Sequence, residues 1–344
     1  MNRPIIALTA GDPAGIGPEV TMKALRDKKV YDMAIPVVIG DAASLNMTAE
    51  LLAMEKTALK PIKDPARAVG EFGVIEYIDL GLLSANGWVM GEVSKEAGEA
   101  AFRYVETAVK LALEKRVSAV VTAPINKEAL RLAGHRFPGH TEIFAHYCGV
   151  EDYAMMLIAG DLRVIHATTH VSMREVCEAI TTPLILKTIR LAKEAIHSIG
   201  VAGTIAVAGF NPHSSENGLF GYEEERFIIP AIKAALAEGI DVEGPIPADT
   251  VFVKALAGKY AIVVAMYHDQ GHIPVKLAGF KTDEKTGSFT DVGGINCTVG
   301  LQVIRTSVDH GTAFDAAGKG IASEKSMLDA IQTAAVMALK SKTP

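Results

Sequence analysis

Ala261-Ile262-Val263-Val264-Ala265-Met266-Tyr267-His268-Asp269-Gln270-Gly271-His272-Ile273-Pro274-Val275-Lys276 changes character halfway along. Residues 261–265 form an unbroken apolar run, the pattern of a strand covered on both faces in a parallel sheet. Directly after it come two histidines, an aspartate, a glutamine and a lysine. Ligands of open α/β sheets sit at the carboxyl ends of strands, so this stretch predicts both the fold and the place of the chemistry. An imidazole, a carboxylate and an amine within nine residues can hold a metal and move a proton. His268, Asp269 and Lys276 are read together as chemical, and His272 by itself as a surface histidine.

Working outward, strand-like runs alternate with helical patterns along the whole chain, which predicts an α/β fold with a largely parallel sheet. Strands are expected at residues 3–10, 35–41, 73–80, 118–122, 163–170 and 204–208. Residues 94–114 read as an amphipathic helix with Ala97, Ala101, Val105, Ala108 and Leu111 on one stripe. Further helices are expected over 182–197 and 323–340. The first strand runs into Gly11-Asp12-Pro13-Ala14-Gly15-Ile16-Gly17-Pro18-Glu19, a shaped turn before a helix from about Pro18. Its spacing is GxxxGxG, not the GxGxxG of a dinucleotide fingerprint. The polar, glycine-rich residues 279–294 read as a hairpin or flap. No internal repeat or low-complexity segment is present.

A length of 344 residues suits two domains or one large α/β unit. Hydrophobic residues at 49% against charged residues at 22% allow a substantial core. A net charge of −6 without a basic run argues against nucleic acid as a partner, so an anionic ligand must meet a local group of cations. Cys148, Cys177 and Cys297 are far apart and show no metal spacing, which fits a reduced, cytoplasmic setting. No stretch reaches the ~18 apolar residues of a membrane span. Asp12 and Pro13 end the first apolar run too early for a signal peptide.

His170, His213 and His268 each follow a different expected strand, and parallel strands bring their carboxyl ends to one edge. Three imidazoles with open positions make a catalytic metal site, best suited to Zn, Co or Ni and less to Mn or Mg. An isolated histidine is usually structural, so pattern alone leaves the triad open. His166 alternates with apolar neighbours and reads as a core histidine. Thr141 can cap a helix whose first amides bind an anion. Lys127 is a solvated charge or an anion contact. Glu223, Glu224 and Glu225 suit the positive end of a helix dipole. Asp249 is an N-cap or a carboxylate that steers a catalytic base.

Residues 11–19, Asn211-Pro212-His213, Tyr267-His268-Asp269-Gln270-Gly271 and Arg305-Thr306-Ser307-Val308-Asp309-His310-Gly311-Thr312-Ala313 together resemble the 4-hydroxythreonine-4-phosphate dehydrogenase family. The resemblance runs in order over nearly the whole chain. It implies a two-domain fold like that of the isocitrate and isopropylmalate dehydrogenases, with largely parallel sheets and a central cleft. Residues 1–127 and 299–344 would form the cofactor-side domain, and 128–298 the metal, substrate and dimerisation domain. It implies that His170, His213 and His268 hold one divalent metal (Zn, Co, Mn or Mg), shared across a homodimer. It implies substrate contacts at His140, Thr141, Lys276, Asn296 and Arg305, and NAD contacts at Gly15, Asp309, Gly311, Thr312 and Asp315. Lys276, or an Asp269/Asp249 pair, would accept the proton when the alcohol is oxidised.

Three features depart from the vitamin B6 branch of that family: His272 after the YHDQG motif, the added residues 281–294, and Thr122-Ala123-Pro124 in place of Thr-Gly-Pro. They resemble the branch that oxidises 4-phospho-D-threonate or 4-phospho-D-erythronate to dihydroxyacetone phosphate and carbon dioxide. That branch is the expectation. The vitamin B6 enzyme is the alternative, followed by an aromatic dihydrodiol carboxylate dehydrogenase and a phosphate- and metal-binding sensor without catalysis. NAD against NADP stays open.

Overall fold

The apolar runs of the sequence become the centres of two sets of strands. A computed structural model describes residues 3–84, 87–282 and 289–341. The chain divides into two compact units, residues 1–151 with 301–344, and residues 152–300.

Unit 1 contains β1 (Ile5–Thr9), α1 (Gly17–Ala24), α2 (Lys28–Met33), β2 (Ile35–Gly40), α3 (Ala42–Leu51), β3 (Ala58–Pro61), β4 (Val74–Asp79), α4 (Lys95–Leu113), β5 (Ala119–Thr122), α5 (Lys127–Leu132) and α6 (His140–Cys148). Unit 2 contains β6 (Ala154–Ala159), β7 (Leu162–His166), α7 (Met173–Ala179), α8 (Thr182–Ser198), β8 (Ile205–Ala208), α9 (Ile229–Ala237), β9 (Val242–Ile246), α10 (Ala248–Leu256), β10 (Ile262–Ala265), α11 (His268–Gly279), the hairpin β11 (Phe280–Thr282) and β12 (Phe289–Val292), and β13 (Ile295–Val299). The chain then returns to unit 1 with β14 (Arg305–Val308) and α12 (Lys325–Lys340).

In unit 1 the strand order is β3-β4-β2-β1-β5-β14, all parallel. In unit 2 it is β13-β6-β7-β10-β8-β9, where only β6 runs against its neighbours. Every residue of β5, β8 and β10 is buried, as unbroken apolar runs require of strands covered on both faces. Each Val, Leu or Ile so buried contributes roughly 1.5–3 kcal/mol. The expected helix over 94–114 is α4, capped by Ser94, whose hydroxyl accepts from the Ala97 amide at 3.1 Å.

The first boundary falls after Glu151, not after Lys127, because α5 and α6 pack on α4. A Cβ at Gly98 of α4 would lie 2.1 Å from the Ala129 carbonyl oxygen of α5. The hairpin expected within 279–294 is present as β11 and β12, while residues 283–288, which include Asp283, Glu284 and Lys285, lie outside the described residues.

Candidate active site

In unit 2, β10 pairs in parallel with both β7 and β8, so three carboxyl ends lie side by side. β7 ends at the buried His166 rather than at His170 as expected from the sequence. Pairing with the β10 end continues past it: the Ala167 amide donates to the Ala265 carbonyl at 2.8 Å, and the Thr168 hydroxyl to that of Met266 at 2.8 Å. The turn that follows brings the exposed His170 ring to 5.8 Å, centroid to centroid, from the His268 ring.

His268 opens α11. Its Nδ1 lies 2.7 Å from Asp269 Oδ1. A carboxylate behind the ring is the partner that ligating histidines commonly have, and it turns Nε2 toward the ion. Two imidazoles that share an ion at about 2.1 Å per bond have centroids about 5–6 Å apart, so the spacing of His170 and His268 fits a bound cation. A pocket of about 280 Å³ is lined by Thr169, His170, Val176, Tyr267, His268 and Asp269. A second, of about 420 Å³, is lined by Asp249, Phe252, Tyr267, Asp269, Gln270 and Ile273. Asp249 therefore faces the same cavity as Asp269. It is not an N-cap, because Pro247 holds that position and Asp249 lies in the first turn of α10.

His213 follows β8, but its backbone is unusual. Residues 213–217 all have positive φ, from 47° to 70°. L-residues adopt such a run only when the surroundings impose it. Glu224 anchors the residues just before the run: its buried carboxylate accepts from the Phe210 amide at 2.8 Å, the Asn211 amide at 2.7 Å and Asn211 Nδ2 at 2.9 Å. Glu224 thus anchors the start of the His213 loop, and, as the sequence predicts, it lies with Glu225 in the first turn of its helix, here a π-helical turn, where the positive dipole end suits a carboxylate. The exposed His213 ring lies beside Phe220, centroids 6.3 Å apart. Among the described residues of one chain, no three His, Cys, Asp or Glu side chains form a metal-binding group. The fold pairs His170 with His268 and leaves His213 apart from them.

Two further side chains were not singled out as chemical by their sequence pattern. Gln270, buried, accepts from the Met266 amide at 2.7 Å and donates to the Gly209 carbonyl at 2.7 Å, tying the ends of β10 and β8 together. His272 is no lone surface residue, because its ring stacks on His268 with centroids 3.5 Å apart. Glu224 carried a legible signal, since it lies on the stripe of buried Ile228, Ala231 and Ala235. Gln270 carried none beyond its place after a buried strand.

Lys276 lies eight residues from His268 on α11, about 12 Å along the axis, with its ammonium 4.6 Å from the Phe280 ring centroid. Asn296 sits on β13, level with Leu157 of β6 and Val164 in the middle of β7, not at the carboxyl ends. A single chain does not place either beside the histidine pair.

In unit 1, Arg305 opens β14 almost fully buried, and its Nη2 donates to Thr122 Oγ1 at 2.9 Å. Its guanidinium lies over the Phe144 ring, 5.9 Å from the centroid. His140 starts α6, and Gly139, not Thr141, is the cap; Thr141 is buried one residue in. Burial, with Arg305 second, holds the His140 imidazole well below its usual range, so the ring is neutral. Its Nε2 has no partner among the described residues. A neutral donor-acceptor ring, a fixed guanidinium and the first amides of α6 thus gather at the end of β5, a set suited to an anion. The Lys127 side chain starts α5, whose cap is Asn126.

Nearby, Asp12 is fully buried at the end of β1. Its Oδ1 accepts from the Ala14 amide at 2.9 Å and its Oδ2 has no partner among the described residues. Burial raises this carboxyl to about 6 against two backbone hydrogen bonds that lower it. Among the expected cofactor contacts, Gly15 and Thr312 come together: the Ile16 amide donates to the Thr312 carbonyl at 3.0 Å, and a Cβ at Gly15 would lie 2.8 Å from that oxygen. Gly311 borders open space, Asp315 is exposed, and the Asp309 amide donates to Ser326 Oγ at 3.2 Å.

Comparison with known proteins decides the family. Residues 32–334 match the family described as pyridoxal phosphate biosynthetic protein PdxA. The chain belongs to the PdxA family. It is similar to the D-threonate 4-phosphate dehydrogenase of Cupriavidus necator, 48% identical over 339 residues and 98% of both chains. It is also similar to the crystal structure of a 4-hydroxythreonine-4-phosphate dehydrogenase from Burkholderia phymatum, with 45% identity, a TM-score of 0.83 and coverage of 98% of this chain and 99% of that one. A terephthalate 1,2-cis-dihydrodiol dehydrogenase from Burkholderia xenovorans is more distant, at 31% identity and a TM-score of 0.67 over 97% of this chain and 98% of that one. These PdxA-family and related proteins are dehydrogenases, and the two-unit α/β architecture expected from the sequence is theirs. No helix among the described residues is long and apolar enough to cross a membrane.

Proposed function

We propose that this chain oxidises the 3-hydroxyl of 4-phospho-D-threonate, or of 4-phospho-D-erythronate, with NAD and one divalent cation. The products are dihydroxyacetone phosphate, carbon dioxide and NADH. The observation that carries this reading is the 48% identity to a D-threonate 4-phosphate dehydrogenase across 98% of both chains. The paired imidazoles of His170 and His268 and the anion-suited group around Arg305 support it.

When bound, the nicotinamide supplies a hydride acceptor and the cation a charge sink for the oxygens of the diol. His170 and His268 would hold the cation from one chain. A second copy of the chain supplies His213, so that the site belongs to a homodimer. Asp269, with Asp249 in the same cavity, takes the proton of the 3-hydroxyl, directly or through water. Lys276 is the other candidate for that proton. Arg305, the neutral His140 and the amide of Thr141 bind the phosphate, and Asn296 a polar group of the substrate. Oxidation leaves a 3-oxo acid; the bond between C1 and C2 then breaks, its electron pair stays on C2, and a proton replaces the carboxylate. Gly15, Asp309, Gly311, Thr312 and Asp315 are the proposed cofactor side. Cys148, Cys177 and Cys297 form no disulfide among the described residues, which fits work in the cytoplasm.

The solved relative titled 4-hydroxythreonine-4-phosphate dehydrogenase supports a second reading, in which an amine replaces the 2-hydroxyl. NADH absorbance is to be followed with purified chain, a divalent metal and each phosphorylated acid in turn. Turnover of 4-phospho-D-threonate or its epimer at a kcat/KM well above that of 4-phosphohydroxy-L-threonine is expected. The reverse order would replace the first reading by the second, and no reduction with any phosphorylated acid would remove both.

A further inference from the structure

We infer that His272 is a positioning residue for His268, a wall that sets the plane of the neighbouring imidazole. The inference rests on the reading of His268 as a metal donor. The two residues are four apart on α11, so they share one face of the helix. Their rings are stacked, centroids 3.5 Å apart and planes 12° from parallel. His272 Nδ1 lies 3.0 Å from the His268 carbonyl oxygen. A carbonyl only accepts, so this nitrogen carries the proton and donates, which fixes the ring in its own turn of the helix.

The wall itself stands on the sheet. Behind His272 lies His166, 2% exposed, with ring centroids 4.6 Å apart. His166 Nδ1 is 3.2 Å from the Met155 carbonyl oxygen on the adjacent strand. The helix can approach this ring only because residue 271 is glycine: a Cβ there would lie 2.3 Å from His166 Nε2. Three neighbouring rings therefore link the buried end of β7 to His268, whose ring also lies 5.8 Å from that of His170.

His272 is not itself a second donor to the same ion. An imidazole binds a metal in the plane of its ring. Two nearly parallel planes about 3.5 Å apart share no point where one ion could sit at bonding distance from both. What the stack does is limit His268 to one ring orientation before any ion arrives, while Asp269 holds its Nδ1. A ring ordered in advance loses less freedom on binding, so the affinity is higher.

The test is Co(II) binding to the full chain, followed by calorimetry and by the visible d–d bands, with thermal unfolding of the metal-free protein alongside. H272L keeps the bulk and removes the stack; it is expected to weaken Co(II) binding roughly 10-fold or more and to shift the bands, in the range seen when outer partners of a ligand are removed. H272F keeps a flat ring on His268 and is expected to stay within about threefold of the parent. Parent-like affinity and bands in H272L would overturn the inference, and so would equal weakening in H272L and H272F. If the parent chain binds no Co(II), the reading of His268 as a donor falls first. That result is distinct from either outcome with the variants.

Discussion

His170, His268 and Asp12 show how one side chain's surroundings set its chemistry. His170 and His268 lie close enough to share an ion, so H170A is expected to lower kcat/KM at least ~100-fold while far-UV circular dichroism stays unchanged. Asp12 has its folded pKa raised to about 6 from an ordinary 3.8. Below pH 4 it is protonated whether folded or not and costs nothing. As pH rises from 4 to 6 the unfolded chain releases this proton more readily, so stability falls, by on the order of 3 kcal/mol once both states are ionised. D12N is expected to lack this decline, so its thermal midpoint should exceed that of the parent at pH 7 by more than at pH 4. Equal differences at the two pH values would show that Asp12 does not titrate in this window. His140 and His166 act in the opposite direction. Burial holds both below the usual histidine range, His166 at about 3, so their contribution is full above about 6.5 and is lost as pH falls. Chemistry at these positions was only partly legible. A histidine after an apolar strand can be read from a sequence, but whether its ring meets another ring depends on how the following turn folds.

At the scale of elements, the loop after β8 depends on Glu224. E224Q exchanges one acceptor oxygen for a donor that faces the Asn211 amide group and two backbone N–H groups. A loss of about 2 kcal/mol is expected, with faster hydrogen exchange at Phe210 and Asn211. Unchanged exchange there would mean that the positive-φ run stands without its carboxylate. At Gly98, G98A is expected to cost about 1–3 kcal/mol, because the added Cβ would meet the backbone of Ala129 on α5 rather than a flexible side chain; denaturant unfolding reads it directly. Most elements were legible: β10, α4 and α8 follow from an apolar run or a 3.6-residue stripe, which are local properties. The ends were less so. The sequence pattern set no helix start after β10, and the structure begins α11 at His268, with a proline tolerated at position 274. β7 was expected to reach His170, but pairing with β10 fades after Thr168.

At the scale of the molecule, one chain brings His170 near His268, and the proposed function takes His213 from a second copy. H170A and H213A are each expected to be inactive as homodimers. Unfolded and refolded together, they should form mixed dimers with one intact site, restoring roughly 25% of parental activity. No recovery in a mixture shown to contain mixed dimers would place all three donors in one subunit or remove His213 from the site. Chelation should abolish turnover reversibly while circular dichroism is retained. By itself the sequence determined the alternation of strands and helices and the carboxyl edges near which the histidines lie. Each follows from local periodicity and from the rule that parallel strands end on one side. Only the tertiary structure decided which rings touch, that Glu224 and Gln270 hold the loops in place, and that His272 stacks on His268. Those contacts join residues by packing and burial between segments distant in the chain or across a helical turn, and periodicity carries no record of which partner a side chain will meet.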